Sequence, residues 1–310
     1  MAINENAVTD TLTPTTGTLN IVGNVTTPNS VNSVNTFSFK NRLINGSMQI
    51  DQRNSGSSQS IGLTSVYTID RWYAQSTGIA TTGQRISGSN GFEYSYQITG
   101  ALTNTATLFG QKIESYNCYD LAGLTVTLSA YIASSALTSI TWTAYYPTAV
   151  DNYASRTQIA TGTFTINSTS TQYSVNISLP SNVVNGLQIE FTSGALTSGT
   201  ITYTGIQLEK GNIATTFDYR NYGTELFFCQ RYYEIGSYYC QAANSPGGVV
   251  GSTFAYKATK RSAPTVVGTA TAGGFTANSF TTQTTQSFDF YGVPNGNGQI
   301  YGNWTSTAEL

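Results

Sequence analysis

Whatever chemistry this chain performs must be done without histidine, because none occurs in its 310 residues. That removes Ser-His-Asp and Cys-His nucleophile systems, imidazole general acid–base work and the usual zinc sites. Carboxylates remain, and those near strand-like segments are Asp70, Glu93, Glu114, Asp120 and Glu190. A glycosidase mechanism needs two carboxyl groups roughly 5 to 9 Å apart, a distance that spacing along the chain does not set. Asp51-Gln-Arg-Asn54 matches no EF-hand spacing, and no Walker or dinucleotide glycine motif is present, so neither a metal nor a cofactor is expected. Cys118, Cys229 and Cys240 form no CxxC pair and leave one over. They read as buried free thiols of a protein folded in a reducing cytoplasm.

Binding chemistry has better material. The segment Tyr145-Tyr146-Pro-Thr-Ala-Val-Asp-Asn-Tyr153 puts aromatic rings, an amide and an acid in one expected loop. Rings that offer flat apolar faces beside hydrogen-bonding amides suit a sugar, which is hydroxyl-rich at its edge and apolar on its face. Tyr146 continues the strand parity of Trp142 and is assigned to the core, which leaves Tyr145, Asn152 and Tyr153 as the exposed glycan-binding candidates. A second cluster, Tyr232-Tyr233 with Tyr238-Tyr239, reads either as another such surface or as packing between parts of the chain.

The elements that must hold these residues are mostly strands. Phe92, Tyr94, Tyr96 and Ile98 alternate with polar residues, as do Leu124 to Ile132, Ile140 to Tyr146, Tyr173 to Leu179, Leu187 to Phe191 and Ile201 to Leu208. Short strands punctuated by Gly, Ser and Asn point to an all-β, antiparallel, jelly-roll-like sandwich. In the last strand the inward parity slips beside Gly205, as a β-bulge requires. One short helix is expected after it, with Thr224 as N-cap and Leu226, Cys229, Gln230 and Tyr233 on one stripe. Further strands, Val249 to Ala258, Pro264 to Ala270, Gly274 to Phe280, Phe288 to Tyr291 and Ile300 to Trp304, make a smaller C-terminal β-domain, with AANSPGG and VPNGNGQ as turns. The expected division is an extended arm over 1–37, a sandwich over 38–220, and the helix plus β-domain over 221–310.

Charged residues are only 9% of the sequence and the net charge is -2, so no basic footprint for nucleic acid exists. The N-terminus lacks a basic n-region and an apolar h-region, and no run of 18 apolar residues occurs; neither a signal peptide nor membrane insertion is expected.

Several segments carry a resemblance. QLEKGNIATTFDYR followed by GTELFFCQRYYE closely resembles "QLE-x-G-x-x-A-T-x-F-(E/D)-x-R" and "EL-x-x-CQRYY" in bacteriophage virion proteins, the tail-fibre and related surface proteins with a carbohydrate-binding-module-like β-sandwich. NRLINGSMQIDQR, YTIDRW, KRSAPTV and WTSTAEL resemble other parts of the same proteins in the same order, so the likeness runs from about Asn41 to the C-terminus. It implies a non-enzymatic structural protein of the virion surface, of the tail-fibre type, made in the host cytoplasm. Residues 1–37 would attach it to other virion proteins, a homotrimer is favoured, and host-surface polysaccharide is the implied ligand. A head-decoration or capsid-fibre protein with the same module, or a polysaccharide-cleaving enzyme, are the alternatives. Asp70, Arg71, Trp72, Glu209, Arg220, Gln230 and Arg231 form the signature, and they are read as structural: Asp70 and Arg71 as a pair or as strand anchors, Trp72 as core between sheets, the rest as ties at a junction.

Overall fold

Alternation along the chain becomes two faced sheets. The computed structural model describes residues 39–242 and 248–310, so the expected arm over 1–37 and most of the AANSPGG turn lie outside the described residues. Twelve strands come first: β1 (Gln59–Ile61), β2 (Val66–Ile69), β3 (Trp72–Thr77), β4 (Thr81–Ser87), β5 (Tyr94–Thr99), β6 (Ala106–Ile113), β7 (Thr125–Ser134), β8 (Ser139–Ala149), β9 (Asn152–Thr165), β10 (Thr171–Ser178), β11 (Leu187–Ser193) and β12 (Thr200–Lys210). They form a first sheet ordered β1-β4-β5-β12-β7-β10 and a second ordered β2-β3-β6-β11-β8-β9. Every pairing is antiparallel, and the chain crosses between the sheets repeatedly, as in a jelly roll.

The inward parity of both sheets meets in one core. Trp72, Phe109, Trp142 and Phe191 from the second sheet pack with Tyr96, Leu128, Ile132 and Tyr203 from the first. Phe109 is the hinge of this packing: its ring stacks on Trp72 at 4.9 Å, on Tyr96 at 5.1 Å and on Tyr203 at 4.9 Å. Such offset stacking adds about 0.5–1.5 kcal/mol per pair beyond area burial. The bulge falls where the parity slip placed it, with the β12–β7 register shifting between Thr204 and Gln207. Gly205 has φ +55, and a Cβ there would lie 2.3 Å from the Phe92 ring, so both backbone and space require glycine.

The helix α1 (Tyr222–Gln230) starts earlier than expected: Asn221 stands at the N-cap without a side-chain cap bond, and Thr224 is inside the helix. Tertiary pairing replaces capping. Glu225 is buried, pairs with Arg220, and accepts the backbone N–H of Asn45. Tyr233, assigned to the helical stripe, instead begins β13 (Tyr233–Ala242), which is followed by β14 (Val250–Ala255), β15 (Thr265–Thr281) and β16 (Ser287–Thr307). Here the expected pairs of short strands are single long ones, and VPNGNGQ is strand rather than turn. The register between β15 and β16 shifts at Gly273, Phe275 and Ala277, and Gly274 and Gly296 carry the positive φ values. The glycines therefore absorb a bulge within a continuing ladder. β16 lies in the middle, with β15 along one side and β13 and β14 sharing the other. Tyr238, Phe288, Phe290, Ile300 and Trp304 form its core.

Buried charge ties the last sheet to the sandwich. Arg71, at φ +71 in the β2–β3 turn, pairs with Glu309 rather than Asp70, donates to Lys112 O at 2.6 Å, and lies 3.4 Å from the Tyr232 ring centroid. Arg53 pairs with the same Glu309 at 2.7 Å and stacks over Tyr233 at 3.8 Å. The Tyr232-Tyr233 cluster is thus packing, whereas Tyr238 enters the C-terminal core and Tyr239 is exposed. Asp70 accepts two bonds of 2.6 Å from the Gln52 amide and backbone N–H. Burial nevertheless pushes its carboxyl up to about 6.

Two outcomes follow for stability. Gly205→Val is expected to lose about 2 kcal/mol or more through the αL backbone and the clash with Phe92, read as a lower urea midpoint with unchanged slope. For Asp70 the folded pKa, about 6, exceeds its ordinary 3.8. The native state therefore binds the proton more tightly, and this contribution is full below pH 3.8 and lost as pH rises through 6. It amounts to about 3 kcal/mol. Asp70→Asn, uncharged at every pH, should lack that component, so subtracting its Tm-versus-pH curve from wild type leaves a fall between pH 4 and 6; parallel curves would refute the assignment.

Candidate functional site

The sequence Leu187-Gln-Ile-Glu-Phe191 builds the site by simple alternation. Leu187, Ile189 and Phe191 enter the core of the sandwich, so Gln188 and Glu190 stand on the opposite, outward face of the second sheet. Register then fixes their neighbours. Glu190 is level with Gly110 and, across β6, Tyr73 on one side, and with Thr143 on the other; Gln188 is level with Lys112 and Tyr145. Arg156 reaches the same patch from β9.

Two rows of side chains therefore converge on a face that lies away from the core, yet Gln188, Glu190 and Tyr73 are almost fully buried. They are buried in one another. Tyr73 donates its hydroxyl to Glu190 at 2.9 Å, the Gln188 amide donates to Glu190 at 2.8 Å and also to the Tyr73 hydroxyl, and Arg156 pairs with the same Glu190 oxygen. Tyr73 reaches Glu190 by lying across β6, which is open to it because residue 110 is glycine: a Cβ there would sit 2.6 Å from the Tyr73 hydroxyl oxygen. The Arg156 guanidinium lies 4.1 Å from the Tyr145 ring centroid. The Lys112 ammonium sits 5.5 Å from the Tyr73 ring and 5.3 Å from that of Tyr153, and donates to Leu310 O at 2.6 Å.

Protonation and satisfaction give the patch its character. Burial, reinforced by the Glu190 charge, pushes the Tyr73 hydroxyl well up, so it remains a donor. Lys112 is pulled down, first by burial and then by the positive charges of Arg156 and Arg71. One acceptor has no partner: the Gln188 Oε1 is buried and makes no hydrogen bond. A buried unpaired amide oxygen costs about 1–3 kcal/mol; the atom has no accessible surface, so what the face presents outward is the half-buried Tyr145 and Tyr153 rings and the exposed Arg156. The arrangement can hold a molecule that offers donors, acceptors and an apolar face together.

Of the expected glycan-binding residues, Tyr145 and Tyr153 join this patch and Asn152 does not. They do not share one loop: Tyr145 is in β8, while Asn152 and Tyr153 open β9. Pro147 is tolerated within β8 because that strand has already parted from β11 beyond Tyr145. Neither tyrosine is exposed. Tyr145 is half-buried under Arg156, and Tyr153 is half-buried with its hydroxyl donating to Ile113 O at 2.6 Å and Leu187 O at 3.1 Å. Burial also drives that hydroxyl upward. Tyr153 therefore contributes a ring and no free hydroxyl, while the Asn152 side-chain Oδ1 accepts the Ala154 N–H in the hairpin turn.

The acids singled out for catalysis have different partners. Glu190 is held by Arg156, Glu114 by Arg231, Asp120 by Arg42 and Asp70 by Gln52, while Glu93 borders a cavity of about 340 Å³ with Asp51 and Arg85. The signature residues take structural bonds. Trp72 is in the core and donates to Asn45 O at 3.0 Å, and Glu209 accepts Thr215 N–H at 2.8 Å and its hydroxyl at 2.6 Å. Arg220 ties Glu225 to Leu43 O, Arg231 reaches Thr259 O, and the carbonyl of Gln230 accepts the Lys260 ammonium. A larger cavity, about 380 Å³, lies between Tyr116, Phe228 and Tyr232. Its arginines Arg42, Arg220 and Arg231 are each already paired, which leaves the outward face of the second sheet as the better-equipped site.

Strand parity could have found Lys112 and Gln188, polar residues opposite apolar neighbours, and it did mark Glu190 as an acid beside a strand. No comparable signal marks Arg156, which lies in a run of polar residues on an edge strand.

No protein-family model matches the sequence, and no curated protein matches it. Solved structures do resemble it. A putative sugar binding protein from Bacteroides thetaiotaomicron shares 14% identity at a TM-score of 0.37, over 55% of this chain and 99% of that one. A family 11 carbohydrate-binding module from Clostridium thermocellum, in complex with a β-1,3-1,4-mixed-linked tetrasaccharide, shares 12% at 0.32, over 52% and 99%. The enzymatically active domain of tailspike protein 4 from bacteriophage CBA120 shares 14% at 0.36, over 55% of this chain and 21% of that one. At these values the likeness assigns neither ligand nor activity.

Proposed function

We propose that this chain is a non-enzymatic, glycan-binding structural protein of a bacteriophage virion surface, of the tail-fibre type, and that it binds polysaccharide on the outward face of its second sheet. The virion part rests on the ordered motifs QLEKGNIATTFDYR, GTELFFCQRYYE, YTIDRW and WTSTAEL. In the same reading, residues 1–37 attach it to other virion proteins and the working assembly is a trimer. The glycan part rests on one observation above all: the half-buried Tyr145 and Tyr153 rings stand on the outward face of the second sheet beside the Arg156 and Lys112 donors. Hydroxyl-rich ligands satisfy such a set by hydrogen bonding while their apolar faces cover aromatic rings.

Isothermal titration of the chain against a panel of bacterial surface polysaccharides tests this. At least one should bind, and Tyr145→Ala should weaken that binding about tenfold with an unchanged urea midpoint, since the ring lies outside the core. Unchanged affinity in the variant would remove this face from the interaction.

A further inference from the structure

Alternation also gives the C-terminal sheet an outward face. Every second residue from Ile235 to Gln241 on β13, from Gln299 to Thr305 on β16 and from Val267 to Gly273 on β15 turns away from the Tyr238, Ile300 and Trp304 core. These residues lie level with one another, row by row. None of the positions carries a charge. All but Thr305 are exposed, Tyr301 and Asn303 on the central strand included, so no described residue lies over the face. Tyr239 and Tyr301 are directly opposite each other in register and are 53% and 43% exposed. The Tyr239 hydroxyl donates to Gln241 Oε1 at 3.3 Å and to Gln299 Oε1 at 3.5 Å, which sets two amides beside the ring pair. Asn303, the next outward residue along β16, adds a third.

Size and charge narrow what can cover it. Rows about 6.8 Å apart on strands about 4.8 Å apart make a face of roughly 400 Å², about half of what one partner gives to a stable protein–protein interface. That area is small for a second copy and ample for a sugar chain. We propose that this face is a second glycan site, specific for uncharged polysaccharide. The Tyr239 and Tyr301 rings lie against the apolar faces of the sugars, and the Gln299 and Asn303 amides bond their hydroxyls. An acidic sugar is disfavoured because no cation on the face compensates the desolvation of its carboxylate. The site stands on a different sheet from Tyr145 and Arg156 and binds independently of them.

Titration of the full chain against uncharged glucans, mannans and galactans, at about 0.05 M and about 0.5 M salt, tests this. At least one polymer should bind with an affinity that salt leaves unchanged, since no ion pair is there to be screened. Tyr301→Ala should weaken that binding about tenfold while Tyr145→Ala leaves it intact, and the melting temperature of each variant reports whether it is folded. Should Tyr301→Ala fail to fold, Tyr239→Ala and Asn303→Ala on the same face carry the test. Binding lost in Tyr145→Ala and kept in Tyr301→Ala would overturn the second site and leave the first standing. Absence of binding to every uncharged polymer would also overturn the second site. Sedimentation of wild type and Tyr301→Ala covers the other occupant: an assembly that dissociates in the variant would make this face a contact between copies and overturn the proposal.

Discussion

A single buried guanidinium, that of Arg71, sets the geometry on which the rest depends. It belongs to the sandwich by sequence, yet its contacts are with the C-terminal Glu309, with Tyr232 at the exit of the helix, and with the backbone of β6 at Lys112. A charge this deeply buried must be paired, and removing its partner typically costs about 3–5 kcal/mol. The chain end is therefore clamped onto the sandwich. Arg53, Arg261 and the Tyr67 hydroxyl add further bonds to residues 308–310. A buried pair of this kind is weak evidence for net stability; what the contacts show is that Glu309 and Tyr232 are tied to the β2–β3 turn.

That clamp reaches the candidate site directly. Arg71 binds the carbonyl of Lys112, and the Lys112 ammonium binds an oxygen of Leu310, so residues 309–310 form one border of the patch. The other borders come from the sandwich. Gly110 opens the way for Tyr73 to cross β6, and the β8–β9 hairpin carries Tyr145 and Arg156 to Glu190. Asp151 locks that hairpin by accepting the Ser115 N–H at 2.7 Å. The patch rests on strands at three of its corners, and rigid support of that kind is what orientation of a ligand requires.

Much of the fold was legible because period-two alternation is a physical record of burial. The strands from Tyr94 to Leu208 and the bulge at Gly205 were readable from parity alone. Glycine-rich VPNGNGQ misled, since the same residues that permit a turn also permit a bulge within a long strand, and only the partner strand β15 decides between them. The helix start misled because Glu225 finds Asn45 and Arg220, far away in sequence, and this outweighs the local capping preference of Thr224. The site was half legible: Tyr145, Tyr153 and Glu190 stood out by type. Their convergence with Lys112, Gln188 and Arg156 depends on strand order, which places β6, β11, β8 and β9 side by side. Sequence spacing carries no trace of that order.

The most direct measurement is a crystal structure of the full chain with an oligosaccharide fragment of whichever surface polysaccharide it binds. Sugar density across Tyr145, Arg156 and Lys112 on the outward face of the second sheet is the predicted result. Density in the cavity between Tyr116 and Phe228, or on the exposed Tyr239 and Tyr301 of the last sheet, with the outward face of the second sheet left bare, would contradict it.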